Sequence, residues 1–123
     1  MMTDALPPIL VAEDEAMLRV LAVEMLEDAG FKVFEAGDGV EALELLKANP
    51  QITLLVSDIK MPRMDGYALV TAGLVFRPEL KVLLMTGYAE DPPPQFVKLR
   101  DIQILRKPFN LERLCTLATE MTA

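Results

Sequence analysis

The sequence contains no histidine. That absence excludes a Ser-His-Asp triad, a histidine-ligated zinc site and a histidine phosphocarrier. Any polar chemistry must therefore use carboxylates, hydroxyls and lysines, and a bound metal would be a hard ion on oxygen ligands, such as Mg2+. Cysteine is almost as scarce. The single Cys115 cannot close an intrachain disulfide, and among Leu111, Leu114, Leu117 and Ala118 it reads as a buried small hydrophobe in a helix. No apolar stretch approaches the roughly 20 residues needed to cross a bilayer. No basic segment precedes a long apolar run at the N-terminus, so the expectation is a cytoplasmic chain with no signal peptide and no membrane partner. Cations are also few: 12 Lys and Arg stand against 19 Asp and Glu, for a net charge of −7. This argues against a nucleic-acid partner, whose affinity comes from clustered Lys and Arg. Much of the acidity has a bland reading as a solubilising surface.

What is present is a single core's worth of chain. At 123 residues there is room for one ordinary domain and no second, with residues 1–7 expected as a flexible N-terminal segment. A 52% hydrophobic and 25% charged composition supports a buried core with a solvated surface and argues against disorder.

Five short apolar runs recur with amphipathic stretches between them: Ile9-Leu10-Val11-Ala12, Phe31-Lys32-Val33-Phe34, Thr53-Leu54-Leu55-Val56, Lys81-Val82-Leu83-Leu84-Met85 and Ile102-Gln103-Ile104-Leu105. Four read as strands covered on both faces; the second carries a charge and reads as an edge strand. In the first helix Met17, Leu18, Leu21, Ala22, Met25 and Leu26 recur at helical spacing, and Gly30 ends it. Val40, Leu43, Leu46 and Lys47 mark a second, stopped by Pro50. A third spans Gly66 to Phe76, and a fifth spans Leu111 to Met121 behind an Asn110 cap. The fourth is confined to Gln95–Arg100 by Pro92-Pro93-Pro94 and is expected to be short or irregular. Strands alternating with helices imply βαβ units, right-handed crossovers and a parallel sheet.

The polar residues fall at the ends of these runs. Run one ends in Glu13-Asp14, run three in Ser57-Asp58, run four in Thr86-Gly87 and run five in Lys107-Pro108, while run two ends in Glu35-Ala36-Gly37 with nothing obviously chemical. Ligands of open parallel sheets bind beyond the carboxyl ends of the strands where strand order reverses. With order 2-1-3-4-5, strands one and three adjoin at that reversal. Glu13, Asp14 and Asp58 are sent to one crevice, and the outer strand is left idle. Three ionised carboxylates there repel by a few kcal/mol per pair at an effective dielectric near 20 and call for a cation. A carboxylate beside Mg2+, Lys107 and the Thr86 hydroxyl is a good phosphoryl acceptor, with Asp58 as nucleophile. Taken singly, Glu13 and Asp14 read as solvated loop carboxylates and Lys107 as a surface lysine. Their joint placement turns the reading.

The segments Val11-Ala12-Glu13-Asp14-Glu15, Asp58-Ile59-Lys60-Met61-Pro62-Arg63-Met64-Asp65-Gly66, Met85-Thr86-Gly87-Tyr88 and Lys107-Pro108-Phe109 together resemble the receiver domains of two-component response regulators, over nearly the whole chain. The resemblance implies an α/β flavodoxin-like (βα)5 three-layer sandwich around a five-stranded parallel sheet. It implies Asp58 as phosphoacceptor, with Glu13, Asp14, Asp58 and the backbone carbonyl of Lys60 around Mg2+. Thr86 would be the switch hydroxyl and Lys107 the phosphoryl-oxygen partner. The donor would be a phosphohistidine on a sensor histidine kinase or histidine phosphotransfer protein, and the output a conformational signal to a partner protein. The chain would be a monomer or a weak phosphorylation-dependent dimer, and no enzyme beyond its own phosphorylation and autodephosphorylation.

Three residues depart from the family pattern or modulate it. Ile104 stands where the family often has a tyrosine or phenylalanine that rotates on activation. Tyr88, two residues after Thr86, is either its substitute or a rim aromatic. Lys60, at the mouth of the site, is expected to influence phosphoryl lifetime. The competing reading is a small Mg2+-dependent phosphatase with an aspartyl-phosphate intermediate. Such enzymes commonly place a general-acid aspartate two residues after the first, and Lys60 occupies that position. A flavin- or nucleotide-binding module is poorly supported, because no Gly-rich loop follows strand one.

Overall fold

The computed structural model describes residues 6–86, 102–106 and 111–122. The fourth-helix segment, its prolines, Tyr88, Lys107, the Asn110 cap and residues 1–5 lie outside the described residues. In chain order the elements are β1 (Ile9–Ala12), α1 (Ala16–Asp28), β2 (Val33–Ala36), α2 (Gly39–Ala48), β3 (Leu54–Asp58), α3 (Gly66–Phe76), β4 (Lys81–Thr86), β5 (Ile102–Arg106) and α4 (Leu111–Thr122), the last being the helix read as the fifth.

All four strand pairings are parallel, in the order β2-β1-β3-β4-β5. Side chains alternate across the sheet as the strand period requires. Ile9, Val11, Leu54, Val56, Leu83 and Met85 pack with Ala22, Leu26, Leu114 and Leu117 of α1 and α4. Leu10, Leu55, Val82 and Leu84 pack with Ala42, Leu46, Leu69 and Val70 of α2 and α3. The fold is thus a three-layer α/β sandwich, and β1, β3 and β4 are buried on both faces because both helical layers cover them. The expected double coverage fails at β5, an edge strand with Gln103 exposed and Ile104 half-buried. The charged β2 is the opposite edge, as its composition suggested.

Local detail departs from the apolar pattern at three places. In α1 the buried positions are Ala22, Val23 and Leu26, while Met17 is 72% exposed and Leu21 42%. The helix is turned so that the row holding Arg19 and Val23 faces inward, which brings the Arg19 guanidinium under the end of β1. The second strand begins two residues later than its apolar run. Phe31 N–H is bonded to Leu26 O at 3.1 Å and Gly30 N–H to Glu27 O at 2.9 Å. With Gly30 at φ 103, this is a Schellman ending of α1. Phe31 is therefore committed to the helix cap, and the ladder starts at Lys32 O, which accepts from Ile9 N at 2.9 Å.

Cys115 is half-buried, not buried, and its thiol donates to Met25 O at 3.4 Å across the α1–α4 contact. Burial, and then the nearby Asp28 charge, push the thiol above its ordinary value of 9.0. Since the thiolate is the reactive form, iodoacetamide should alkylate Cys115 in the native chain at least about tenfold more slowly than in denaturant at pH 8. Mass spectrometry of timed samples reads this, and equal rates would contradict it.

Candidate functional site

β1 and β3 are neighbours in register, Ala12 opposite Ser57, so the residues that follow Ala12 and end β3 meet at the carboxyl edge of the sheet. One carboxylate oxygen from each of Glu13, Asp14 and Asp58 lies within 4.8 Å of the others. Glu13 is 2% exposed and Asp58 8%, whereas Asp14 is exposed. Charges are rarely buried to this degree unless something compensates them. At 4.8 Å two carboxylates repel by about 3 kcal/mol at an effective dielectric of 20, and solvent screening discounts the pairs involving exposed Asp14.

Backbone geometry fixes each group. Glu13 N–H donates to Ala36 O at 3.0 Å, its carboxylate accepts from Glu15 N–H at 3.0 Å, and Arg19 donates to its carbonyl at 2.7 Å. Asp58 closes β3, with Oδ1 accepting from Ile59 N–H at 2.8 Å and Ser57 Oγ donating to its carbonyl at 2.7 Å. Thr86 ends β4 and is 5% exposed, one position beyond Met85, which pairs with Asp58. Asp65 caps α3 by accepting from Ala68 N–H at 2.8 Å. Lys60 is exposed in the β3–α3 loop. Glu13, Asp14, Asp58 and Thr86 thus stand where their places at the strand ends put them.

An oxygen-only donor set with these spacings fits a hard divalent ion, whose opposed ligands lie about 4 Å apart for Mg2+. Among the described residues this is the group of carboxylates that converges in this way.

The outer strand adds no carboxylate to this group, and side-chain links tie its end to the rest of the fold. Arg19 reaches Glu35 at the end of β2, 3.2 Å away. Beyond β2, Asp38 Oδ1 caps α2 by accepting from Glu41 N–H at 2.8 Å. Its Oδ2 takes Arg63 Nε at 2.9 Å and Nη2 at 2.8 Å. The Glu41 N–H, foremost, and the Arg63 guanidinium hold the Asp38 carboxyl below its ordinary value of 3.8. Its contribution to stability is therefore complete above that value and is lost as pH falls through the lowered one. The Asp38-x-x-Glu41 spacing resembles a capping box and was the available sequence signal. Nothing in the sequence announced Arg63, which sits at φ 65 in a three-residue turn closed by Met64 N–H to Pro62 O at 2.7 Å. That is the rarer, strained hand of γ-turn, and such conformations cost about 1–3 kcal/mol in a residue with a side chain. An exposed ion pair is too weakly stabilising to offset that strain by itself.

The model for the response regulator receiver domain matches residues 9–119, and the chain belongs to that family, the phosphoryl-accepting switches of two-component signalling. It is 39% identical to the response regulator receiver protein CpdR of Brucella abortus over 107 residues, covering 86% of this chain and 88% of that protein. It is 36% identical to the sensor kinase CckA of the same organism over 115 residues, covering 92% of this chain but 12% of the kinase. The crystal structure of the receiver domain of a hybrid histidine kinase CckA superposes with a TM-score of 0.81 at 30% identity, covering 94% of this chain and 99% of that one. No helix among the described residues is long and apolar enough to cross a membrane.

Proposed function

We infer that Asp58 is the phosphoacceptor of this receiver domain, and that the whole sequence is one such domain. The observation that carries the reading is the convergence of Glu13, Asp14 and Asp58 oxygens within 4.8 Å at the carboxyl edge of the sheet. Glu13, Asp14, Asp58 and the carbonyl of Lys60 would hold Mg2+, which supplies positive charge against the oxygens of a transferring phosphoryl group. Asp58 Oδ attacks phosphorus. The O–P bond forms, the P–N bond of a phosphohistidine on a kinase or phosphotransfer protein breaks, and the departing imidazole keeps its electron pair and takes a proton. In the resetting step water attacks the phosphorus, releasing inorganic phosphate and the Asp58 carboxylate, and exposed Lys60 sets how readily it does so.

Thr86 and Lys107 would engage the phosphoryl oxygens. Two such charge-assisted contacts contribute about 1.5–3 kcal/mol each, near the 5.5 kcal/mol that inverts a 1:99 equilibrium. The readout would be the face around β5, with half-buried Ile104 in place of the usual aromatic. The reading places the chain in the cytoplasm with its donor, signalling to a protein partner.

The direct test is acetyl phosphate with Mg2+, read by intact mass. One phosphoryl group per chain is expected, and none when EDTA removes the metal. Sustained turnover of a phosphorylated metabolite would instead favour the phosphatase reading.

A further inference from the structure

We propose that Arg63, through Asp38, is a positioning residue that holds the β3–α3 loop in its metal-binding shape. The inference rests on the reading of Asp58 and its neighbours as the phosphoryl and metal site.

The loop from Ile59 to Asp65 carries the Lys60 carbonyl and returns to the site at Gly66, whose N–H donates to Ile59 O at 2.7 Å. Its sharpest bend is at Arg63, at φ 65, a conformation glycine adopts without strain and arginine does not. Both Nε and Nη2 of that arginine close on a single oxygen, Asp38 Oδ2, at 2.9 and 2.8 Å. Asp38 cannot drift with it, because its other oxygen is bonded to Glu41 N–H at 2.8 Å at the start of α2. A second contact backs the first: a Cβ on Gly39 would overlap Met64 O and lie 2.8 Å from Met64 Cβ. The first turn of α2 is thus seated against the bend. The side chain of Arg63 is 60% exposed, so it contributes little by burial. Strain retained in an exposed loop that borders a site is strain retained for placement.

Glycine and alanine at position 63 separate placement from stability. Both remove the clamp, but only glycine removes the strain. The probe is Mg2+ alone, titrated into the phosphate-free chain and followed by calorimetry, with melting temperature and amide exchange of Met64 and Gly66 measured without metal. Arg63→Gly and Arg63→Ala should both weaken Mg2+ binding by about tenfold, the low end for groups that orient a metal ligand. Arg63→Ala should melt below the parent and Arg63→Gly at or above it. Asp38→Asn, which keeps the cap, should weaken Mg2+ binding in the same direction, and Arg63→Lys less than Arg63→Gly. The two amides should exchange faster in every variant that loses affinity. If the parent binds Mg2+ and Arg63→Gly binds it within twofold of the parent, the positioning role is wrong and the Asp58 reading stands. A parent that takes up neither Mg2+ nor a phosphoryl group from acetyl phosphate overturns both.

Discussion

Asp58→Asn should take up no phosphoryl group from acetyl phosphate, and it should lose most of the thermal stabilisation that Mg2+ gives the parent. Asparagine is nearly isosteric, and its Oδ1 can still accept from Ile59 N–H, which the aspartate binds at 2.8 Å. The fold therefore keeps its local hydrogen bond. What disappears is the nucleophilic oxygen and one of three negative charges whose oxygens lie within 4.8 Å. A ligand that binds only the native state stabilises it by RT ln(1 + [L]/Kd), about 2.7 kcal/mol at a hundred times Kd. For a chain of this size that is roughly 10 °C, at about 4 °C per kcal/mol. Losing one anionic ligand should reduce that rise to a few degrees. Asp14→Asn makes the comparison clean: Asp14 is exposed, so its neutralisation removes repulsion at little packing cost. The variant should melt no lower than the parent without metal and respond weakly to Mg2+, while Asp58 remains as acceptor. Scanning calorimetry across an Mg2+ series and intact mass after acetyl phosphate read both variants. Phosphoryl uptake by Asp58→Asn at the parent's rate would put the nucleophile elsewhere.

The acidic site was legible because its parts are punctuation. Apolar runs buried on both faces are conspicuous, and a carboxylate immediately after such a run can only stand at the sheet's carboxyl edge. Once βαβ handedness restricts the topology, Glu13, Asp14 and Asp58 converge with no long-range information. The helix ends were legible for a similar reason, since Gly30 and Pro50 stop what precedes them. The side-chain cross-links between elements left no comparable mark. Arg19 bridges to Glu35 across 16 residues, Arg63 to Asp38 across 25, and buried Arg77 donates to the carbonyls of Leu46 and Ile52, 31 and 25 residues away. A long side chain with a five-donor fork can reach a carboxylate or carbonyl on almost any nearby element. Its partner is fixed by the assembled fold and not by spacing. The exact face of α1 is a similar case: Ala22 and Leu26 of its apolar set are buried while Met17 and Leu21 are exposed, and Arg19 donates to the Glu13 carbonyl at 2.7 Å.

Gly66→Ala should be strongly damaging, and Gly73→Ala, in the same helix, nearly silent. At Gly66 an added Cβ would overlap the carbonyl oxygen of Asp58 and stand 2.9 Å from Ile59 Cα and 3.2 Å from Asp58 C. All three are backbone atoms at the end of β3, the strand that pairs with both β1 and β4, so none can yield as a side chain would. The overlap can be relieved only by lifting the start of α3, which breaks the 2.7 Å bond from Gly66 N–H to Ile59 O, or by moving Asp58 off the sheet. Overpacking against a rigid neighbour costs about 1–3 kcal/mol, and a buried hydrogen bond left unmade adds about 1–3 more. We expect a loss of about 4 kcal/mol and a fall in melting temperature of about 15 °C. Phosphoryl uptake should fall well beyond the fraction unfolded, because either relief displaces the acceptor. At Gly73 the new methyl would meet only the ends of Leu46 and Leu80, at 3.3 and 3.6 Å. Alanine also gains about 1 kcal/mol over glycine inside a helix, so that variant should melt at or above the parent and take up a full equivalent. Gly66→Ala with unchanged melting and uptake would mean that the β3–α3 loop is free to move without carrying Asp58 with it.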